Sequence, residues 1–449
     1  MSCDSEKMLR FSGKALFCLT FLTFYFRALL SAFLIANLRV TVCFTEVVVM
    51  KSALLILAAI LISGGLYFLM TPANHMHILL VGNSTGTMAT RDQEMLSLIE
   101  ARFRANESDL GIAFTFSYLD ASVPTDQLAS EFKRITDEAS PDLVIGCGDS
   151  FCLRQVLPVV ESGNLTFLYP GASEGLFDSA SLVHLGPVPN QFLFPSLSWV
   201  RQHLGDTVMY LGGEDIRSRM LGRMLRQHLL PVSGIDMVTE EYLGTYEQMP
   251  SILEKIRDYQ PDVLLFDACD WLNHPDFASV LTKANIRIFS LCTDPRQPVA
   301  NNYYFVSHYF DHPHNQANVE FKSFIAEREN RPDALNAMAV GAADLVISLL
   351  RERSMTAAEI SYALRGRNLL SAAGSLAVDV NEEGTWHTLF IGQSNRGEAR
   401  LLWMSDAKLR PEMFPGSEGP SDWLHHVTIY WRNNRGRYRT GSIGGKAWL

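Results

Sequence analysis

Polar groups suited to binding a small molecule follow two neighbouring predicted strands. The apolar run Leu143–Ile145 leads into the turn Gly146–Ser150, and the run Leu165–Leu168 leads into Tyr169. A serine hydroxyl can both donate and accept hydrogen bonds, and a tyrosine offers a flat apolar wall with a polar tip. These residue types predict non-covalent recognition of an amide or a carboxylate. The candidates here are Gly148, Asp149, Ser150, Tyr169, Pro170 and Gly171.

Further candidates follow other predicted strands. Ser84 and Thr85 come after Ile78–Val81 and precede a helix, whose N-terminus favours polar or anionic ligand atoms. Asp215 and Arg217 follow the strand Thr207–Leu211, and Asp267 and Ala268 end the strand Val263–Phe266. For the serines and aspartates, simple helix capping remains an alternative role, and for Asp215 and Arg217 a surface ion pair does.

Strands alternate with helices from His77 onward, and the alternation begins afresh after Pro187–Gln191. In the first helix, Met95, Leu98, Ile99 and Phe103 share one face. Such alternation predicts parallel sheets covered by helices, here two of them. We therefore expect an α/β protein with two Rossmann-like lobes.

The motifs around the first set of candidates resemble the solute-binding proteins for urea and short-chain amides, relatives of the branched-chain amino-acid receptors. The shared pattern is G-C-x-x-S, LPVVE, Y-P-x-x-x-E-G-x and P-N-Q, and the similarity extends from about His77 to about Pro411. The motifs stand here as follows: Gly146-Cys147-Gly148-Asp149-Ser150, Leu157–Glu161, Tyr169-Pro170 with Glu174-Gly175, and Pro189-Asn190-Gln191.

The resemblance implies the type I periplasmic-binding fold, with a three-segment hinge between the lobes. It assigns residues 74–190 plus 310–368 to the first lobe and residues 191–309 plus 369–412 to the second, with a C-terminal tail at 413–449. It also implies that Ser150 hydrogen-bonds the ligand and that Tyr169 lines the pocket. Asp215 and Arg217 stand where the family has aromatic rings, so a zwitterionic or charged ligand becomes an option beside urea and amides.

An enzyme is the competing hypothesis. Gly148-Asp149-Ser150 with Asp422 and His425 far downstream mimics the catalytic blocks of GDSL-type serine hydrolases. A nucleophilic serine needs a base within hydrogen-bond reach. Because those enzymes carry the serine block after their first strand, whereas here it follows the third, we expect no catalysis.

Composition excludes several other classes. The net charge of −10 argues against nucleic-acid binding. No C-x-x-C pair occurs, and the histidines at 308, 312 and 314 lack ligand spacing, so we expect neither metal nor cofactor. Cys147 and Cys152 lie close enough in sequence for a disulfide in an oxidising compartment. The favoured prediction for these two cysteines, and for Cys269 and Cys292, is isolated buried thiols.

The basic tail from Arg432 is predicted to be a solvated end.

The leader predicts export. Met50-Lys51-Ser52 precedes the uncharged run Ala53–Met70, which has the shape of a bacterial signal sequence. We therefore interpret Met50 as the true start of the protein, with residues 1–49 lying upstream of it, and residues 50–73 as a signal peptide or membrane anchor. Two membrane helices remain an alternative. The expected partners are a small-molecule ligand and an ABC permease in the inner membrane. A ligand sensor of the same fold, controlling a regulator or kinase, is the alternative role.

Overall fold

The computed structural model describes residues 74–438, apart from residues 87, 274–283, 285, 293–301, 312–314, 329, 353–354, 356, 396–397 and 417. The predicted leader and the tail beyond residue 438 therefore lie outside the described residues. Among the helices in the described part, none has both the length and the apolar character that a membrane span requires.

The first lobe is built on a five-stranded sheet with strand order β2-β1-β3-β4-β5, and every neighbouring pair is parallel. The strands are β1 (Asn74–Gly82), β2 (Ile112–Asp120), β3 (Leu143–Gly146), β4 (Phe167–Tyr169) and β5 (Leu182–His184). The helices between them are α1 (Ala89–Arg104), α2 (Glu107–Leu110), α3 (Thr125–Ala139) and α4 (Ser150–Ser162).

Both faces of this sheet are covered, which explains why its strands read as nearly continuous apolar runs. Along β1, Ile78 and Leu80 belong to one buried cluster, whereas Leu79 and Val81 belong to another. Successive side chains of a strand point to opposite faces. The two clusters are therefore the two helix layers on either side of the sheet.

The second lobe repeats this strand order. Its sheet runs β15-β14-β10-β9-β8-β6-β7. The five strands β6 to β10 are parallel, and the two added strands, β14 and β15, are antiparallel to their neighbours. The strands are β6 (Thr207–Gly213), β7 (Asp236–Leu243), β8 (Val263–Asp267), β9 (Arg287–Ser290), β10 (Tyr303–Ser307), β14 (Phe390–Asn395) and β15 (Glu398–Met404). The helices are α5 (Pro189–His203), α6 (Ile216–Met224), which continues through a π-helical turn (Leu225–Leu229) into Leu230–Ser233, and α7 (Met249–Tyr259).

After β10 the chain returns to the first lobe. Helices α8 (Gln316–Ala326), α9 (Ala334–Leu350) and α10 (Ala357–Leu364) are followed by a small antiparallel sheet of β11 (Asn368–Ser371), β12 (Gly374–Val378) and β13 (Thr385–Trp386). Helix α9 is buried on nearly all sides, because its sequence is apolar around the whole helix.

The third connection between the lobes lies later than the sequence-based boundary at residue 368. Leu376 and Val378 of β12 belong to the same buried cluster as α9, so the small sheet packs with the first lobe. The chain crosses to the second lobe between β13 and β14. The predicted α/β fold, with two parallel-sheet lobes and three connecting segments, is confirmed.

Two expectations differ from the structure. The cysteines are not isolated thiols: Cys147 is bonded to Cys152 and Cys269 to Cys292, each pair with its Cα atoms 5.5 Å apart. The segment assigned as a C-terminal tail, 413–449, contains a packed element, because Pro420–Asn433 forms helix α11, while Arg432, Arg435 and Arg437 of the basic end are exposed. Trp423 of α11 is fully buried in the second-lobe core, which fixes the helix to that lobe.

Candidate ligand-binding site

The candidate residues lie where the strand order reverses in each sheet. In an open α/β sheet, ligands bind beyond the carboxyl ends of the strands at this switch point. In the first lobe the switch point lies between β1 and β3, followed by the turns at Asn83 and Gly146–Ser150. In the second lobe it lies between β6 and β8, followed by Glu214–Asp215 and Ala268.

The turn after β3 depends on a glycine. Gly146 has φ +148°, and a Cβ there would collide with the carbonyl of Val81 on the neighbouring strand. Asp149 then caps α4, because its Oδ1 accepts the N–H of Cys152 at 2.8 Å. The Cys147–Cys152 disulfide joins the turn to the first turn of the helix. The backbone of this loop is therefore held in one shape.

Ser150 is the first residue of α4 and is 2% exposed. Among the residues that the structure describes, its hydroxyl has no hydrogen-bond partner. Although the residue as a whole is buried, its hydroxyl is not one of the fully buried unpartnered atoms of the described residues, so it keeps some accessible surface. Its place at a helix N-terminus adds unsatisfied backbone N–H groups nearby.

Tyr169, Pro170 and Gly171 are buried beside this turn. The Tyr169 hydroxyl donates to the carbonyl of Ala172 at 2.8 Å. A Cβ on Gly171 would lie 2.8 Å from the carbonyl oxygen of Gly148 and 2.5 Å from the Tyr169 hydroxyl. The two loop tips therefore touch, and no side chain fits between them.

Asn83 and Asp92 belong to the same cluster, and the sequence reading missed both. The Asn83 side-chain amide donates to Asp92 Oδ2 at 2.7 Å and to Asp149 Oδ2 at 3.3 Å. Burial, and then the nearby Asp149 carboxylate, raises the pKa of Asp92 to about 7. An aspartate in the first turn of a helix is ordinarily a surface residue that favours the helix dipole, so its type gave no signal.

Ser84 and Thr85 lie on the same edge but are exposed. The backbone N–H of Ser84 donates to Asp120 Oδ1 at 3.0 Å, and its hydroxyl also donates to that carboxylate. Asp120 is the last residue of β2, so Ser84 ties two loops together at the rim. The structure does not bring Ser84 and Thr85 into the buried group around Ser150.

In the second lobe, Asp215 caps α6 by accepting the N–H of Ser218 at 2.9 Å. Arg217 forms an ion pair with Asp267, whose carboxylate also accepts from the hydroxyls of Ser218 at 2.9 Å and Tyr210 at 3.3 Å. The Arg217 side chain is 13% exposed and that of Asp267 is fully buried. This pair lies in the protein interior, not on the surface.

Ala268 is buried, and its Cα lies 3.8 Å from where a Cβ of Gly213 would sit. Cys269 and Cys292 lie beside Asp267 and, with it, form the one group with metal-ligand proximity in the described part of the chain. Their sulfurs are bonded to each other, however, so they are not thiolate ligands. The three residues thus fit a structural disulfide beside a buried carboxylate and not a metal centre.

The two edges face each other. Helices α4 and α6, one from each lobe, lie side by side. Burial raises the pKa of Tyr169, and the carboxylates of Asp149 and Glu174 raise it further, while the Arg217 guanidinium of the other lobe opposes the rise. Tyr169 and Arg217 are therefore within electrostatic reach across the gap between the lobes.

The connecting segments are held together by buried polar contacts. The side chain of Gln191, at the start of α5, donates to the carbonyls of Thr385 at 2.7 Å and Leu409 at 2.9 Å. Next to β13, His387 Nε2 lies 2.8 Å from the carbonyl of Leu185, and its ring lies 5.1 Å from that of His308 after β10. Burial lowers the pKa of His387 to about 4, so the ring is neutral at pH 7.

The residues of the hydrolase hypothesis do not meet. Asp422 and His425 are exposed on α11, whereas Ser150 is buried at the start of α4. Within the described chain, no hydrogen bond joins any two of the three. The geometry of a serine, a base and an orienting acid is not formed.

Comparison with known proteins supports this fold. Residues 77–288 match the model of the periplasmic binding protein domain. A solute-binding protein of an ABC transporter from Rhodopseudomonas palustris BisB5, in complex with 3,4-dihydroxybenzoic acid, is similar in structure, with 15% identity and a TM-score of 0.64; the match covers 75% of this chain and 99% of that one.

Two amino-acid transport proteins are similar to the same degree. The branched-chain amino acid transporter substrate-binding protein of Streptococcus pneumoniae, with isoleucine, has 14% identity and a TM-score of 0.63, over 75% of this chain and 100% of that one. The amino acid ABC transporter substrate-binding protein of Pseudomonas fluorescens Pf-5 has 14% identity and a TM-score of 0.65, over 76% and 98%. Residues 77–288 are thus similar to the periplasmic binding protein domain, and the fold of the chain is the type I periplasmic-binding fold.

Proposed function

We propose that this protein is the exported solute-binding component of an ABC importer. It binds one small polar solute between its lobes and delivers it to a permease in the inner membrane. Binding shifts the population from an open to a closed arrangement of the lobes, because the ligand contacts both edges only in the closed form. No chemical change of the solute is involved.

The Ser150 hydroxyl is the observation that carries this proposal. Ser150 is a buried residue at the sheet's switch point and at a helix N-terminus, and its hydroxyl has no hydrogen-bond partner among the described residues. A ligand carbonyl or carboxylate oxygen would accept from this hydroxyl and from the helix N–H groups. Gly148, Asp149, Tyr169, Pro170 and Gly171 would surround it, and Asp215, Arg217, Asp267 and Ala268 would close the site from the second lobe.

The ligand class follows from the charges at these edges. Asp149 and Asp215 are carboxylates that are only partly buried, whereas the one cation named there, Arg217, is committed to Asp267. Carboxylates accept hydrogen bonds and cannot donate them when ionised. A solute with N–H donors therefore fits better than a purely anionic one, which favours urea, a short amide or an amino acid.

Export is supported by the two disulfides in the described domain. Disulfides persist in oxidising compartments such as the bacterial periplasm and are rare in the cytosol. A signal sequence beginning at Met50 would deliver the domain there. The N-terminal sequence of the protein recovered from the periplasm tests this part, because the proposal predicts that residues 1–49 are absent from it.

A thermal-shift screen with urea, acetamide, leucine and benzoate tests binding. A ligand that binds only the folded state raises the melting temperature by mass action. We expect one of the first three to produce a shift that Ser150→Ala removes. Ser162→Ala, at the exposed end of the same helix, should keep it. If Ser150→Ala binds as tightly as the wild type, or if any of the compounds is hydrolysed in a Ser150-dependent way, the proposal fails.

A further inference from the structure

The C-terminal segment after β15 is attached to the second lobe next to the candidate site. Trp423 and Val427 of α11 are buried in the second-lobe core. Glu418 forms an ion pair with Arg223 of α6 at 3.0 Å, and the Tyr430 hydroxyl donates to the carbonyl of Glu214 at 3.4 Å. This segment is therefore anchored along α6, one of the two helices that face each other across the gap.

Beyond α11 the chain turns back to the N-terminus of α6. Gly436 has φ +78°, and Trp431 packs 3.3 Å from where its Cβ would be. The carbonyl of Tyr438 then accepts the backbone N–H of Ile216 at 2.8 Å. Ile216 is the first residue of α6, between the candidate residues Asp215 and Arg217. One of the unsatisfied donors of this helix end is thus taken by the protein's own chain.

The side chain of Tyr438 reaches the other lobe. Its ring centroid lies 5.9 Å from the guanidinium carbon of Arg154, a residue of α4 in the first lobe. Arg154 is itself fixed in place by a buried ion pair with Glu174 and by the ring of Phe177 at 4.3 Å. Burial raises the pKa of Tyr438, Arg154 lowers it and Glu174 raises it, which agrees with a ring packed against this ion pair.

We propose that residues 434–438 act as a latch that holds the two lobes together. The latch is anchored on α6 and contacts Arg154 of α4, so opening the gap between these helices must break the contact between Tyr438 and Arg154. A cation–π contact favours the closed arrangement, in which both partners are in place. The latch therefore sets how often the candidate site opens, independently of which solute it binds.

Hydrogen–deuterium exchange on the full chain tests this, with Tyr438→Ala compared with Tyr438→Phe. Losing a contact of about 1 kcal/mol would raise the open population about five-fold. We expect Tyr438→Ala to accelerate exchange by about that factor in α4 of the first lobe as well as around Ile216. Tyr438→Phe, which keeps the ring, should exchange like the wild type.

Two outcomes would overturn the latch. In one, exchange in Tyr438→Ala rises only around Ile216 and α11, which would make the segment a local cover of the second lobe. In the other, the alanine and phenylalanine variants behave alike in α4. If Tyr438→Ala lowers the melting temperature of the whole protein, Tyr438→Leu replaces it, because leucine keeps apolar bulk at this position but has no aromatic face.

Discussion

Two buried aspartates at the candidate site differ in how the protein satisfies them. Asp267 of the second lobe pairs with Arg217 and accepts from two hydroxyl groups. Asp92 of the first lobe accepts both its bonds at Oδ2, from the backbone and side-chain N–H groups of Asn83, while its Oδ1 has no partner in the described structure. Within that part of the chain, Asp92 forms no ion pair.

This difference concerns how each carboxylate is compensated. At the second-lobe edge Asp267 is paired with a cation and hydrogen-bonded, although the buried Arg217 Nε has no partner in the described structure. The first-lobe edge combines a raised pKa at Asp92 with an unpartnered Asp92 Oδ1 and a Ser150 hydroxyl that forms no hydrogen bond in the described chain. The carboxylate of the second lobe is therefore held by a guanidinium, whereas that of the first lobe is held by the N–H groups of Asn83.

The largest expected effect concerns the ion pair. Asp267→Ala would leave the Arg217 guanidinium buried and uncompensated, which costs about 3–5 kcal/mol of unfolding free energy. Removing both charges, in Asp267→Ala with Arg217→Met, should restore most of that loss. Chemical denaturation measures both variants; an unchanged midpoint in Asp267→Ala would show that the second-lobe edge is not held by this pair.

The disulfides offer an intermediate effect that compares the lobes directly. Cys269 and Cys292 are separated by 23 residues and Cys147 and Cys152 by 5. A longer loop loses more chain entropy when it is closed, so replacing the second-lobe pair by serine should cost roughly 3 kcal/mol and the first-lobe pair roughly 2 kcal/mol. Denaturant titration of the two double variants measures both losses of unfolding free energy. A larger loss on replacing the first-lobe pair would contradict this prediction.

The last comparison is one of pH dependence. Burial and the nearby Asp149 carboxylate raise the pKa of Asp92 to about 7 in the folded state, above its ordinary value of 3.8. The stability that protonated Asp92 contributes is therefore fully present below about pH 4 and is lost progressively as the pH rises to about 7. Asp92→Asn should remove this slope, so the variant gains stability relative to the wild type from pH 4 to pH 7.

If the stability of Asp92→Asn and that of the wild type changed with pH in the same way, Asp92 would be ionised in the folded state. Its charge would then be compensated by groups other than Asn83. The first-lobe edge would then resemble the second, and the contrast between the two aspartates would lose its basis.

Much of the fold could be predicted from sequence periodicity. The predicted run Val263–Phe266 lies within β8, and the predicted run Thr207–Leu211 lies within β6. The small sheet β11–β13 was assigned to the second lobe by the predicted boundary at residue 368, but it packs with the first lobe. The apolar pattern of its strands does not show which of the two cores they join. Helix α11 was missed because it lies in the segment assigned as a C-terminal tail, and Trp423, which fixes it, is a single residue.

The candidate site could be predicted only in part. The turns after β3 and β6 were identifiable because polar residues follow buried strands. Asn83 also follows a buried strand, whereas Asp92, in the first turn of a helix, carried no such signal. The partner of Arg217 could not be foreseen, since Asp267 lies 50 residues away in the chain.

The order of strands and helices, the two-lobed plan and the loops that bear the polar groups were determined by local patterns of apolar and polar residues, which depend on neighbours a few positions apart. The pairing of Arg217 with Asp267, the disulfides, the place of Tyr438 beside Arg154 and the isolation of Asp92 were decided by the tertiary structure alone. Those contacts join segments far apart in sequence, and their burial and charge balance exist only once both lobes are packed.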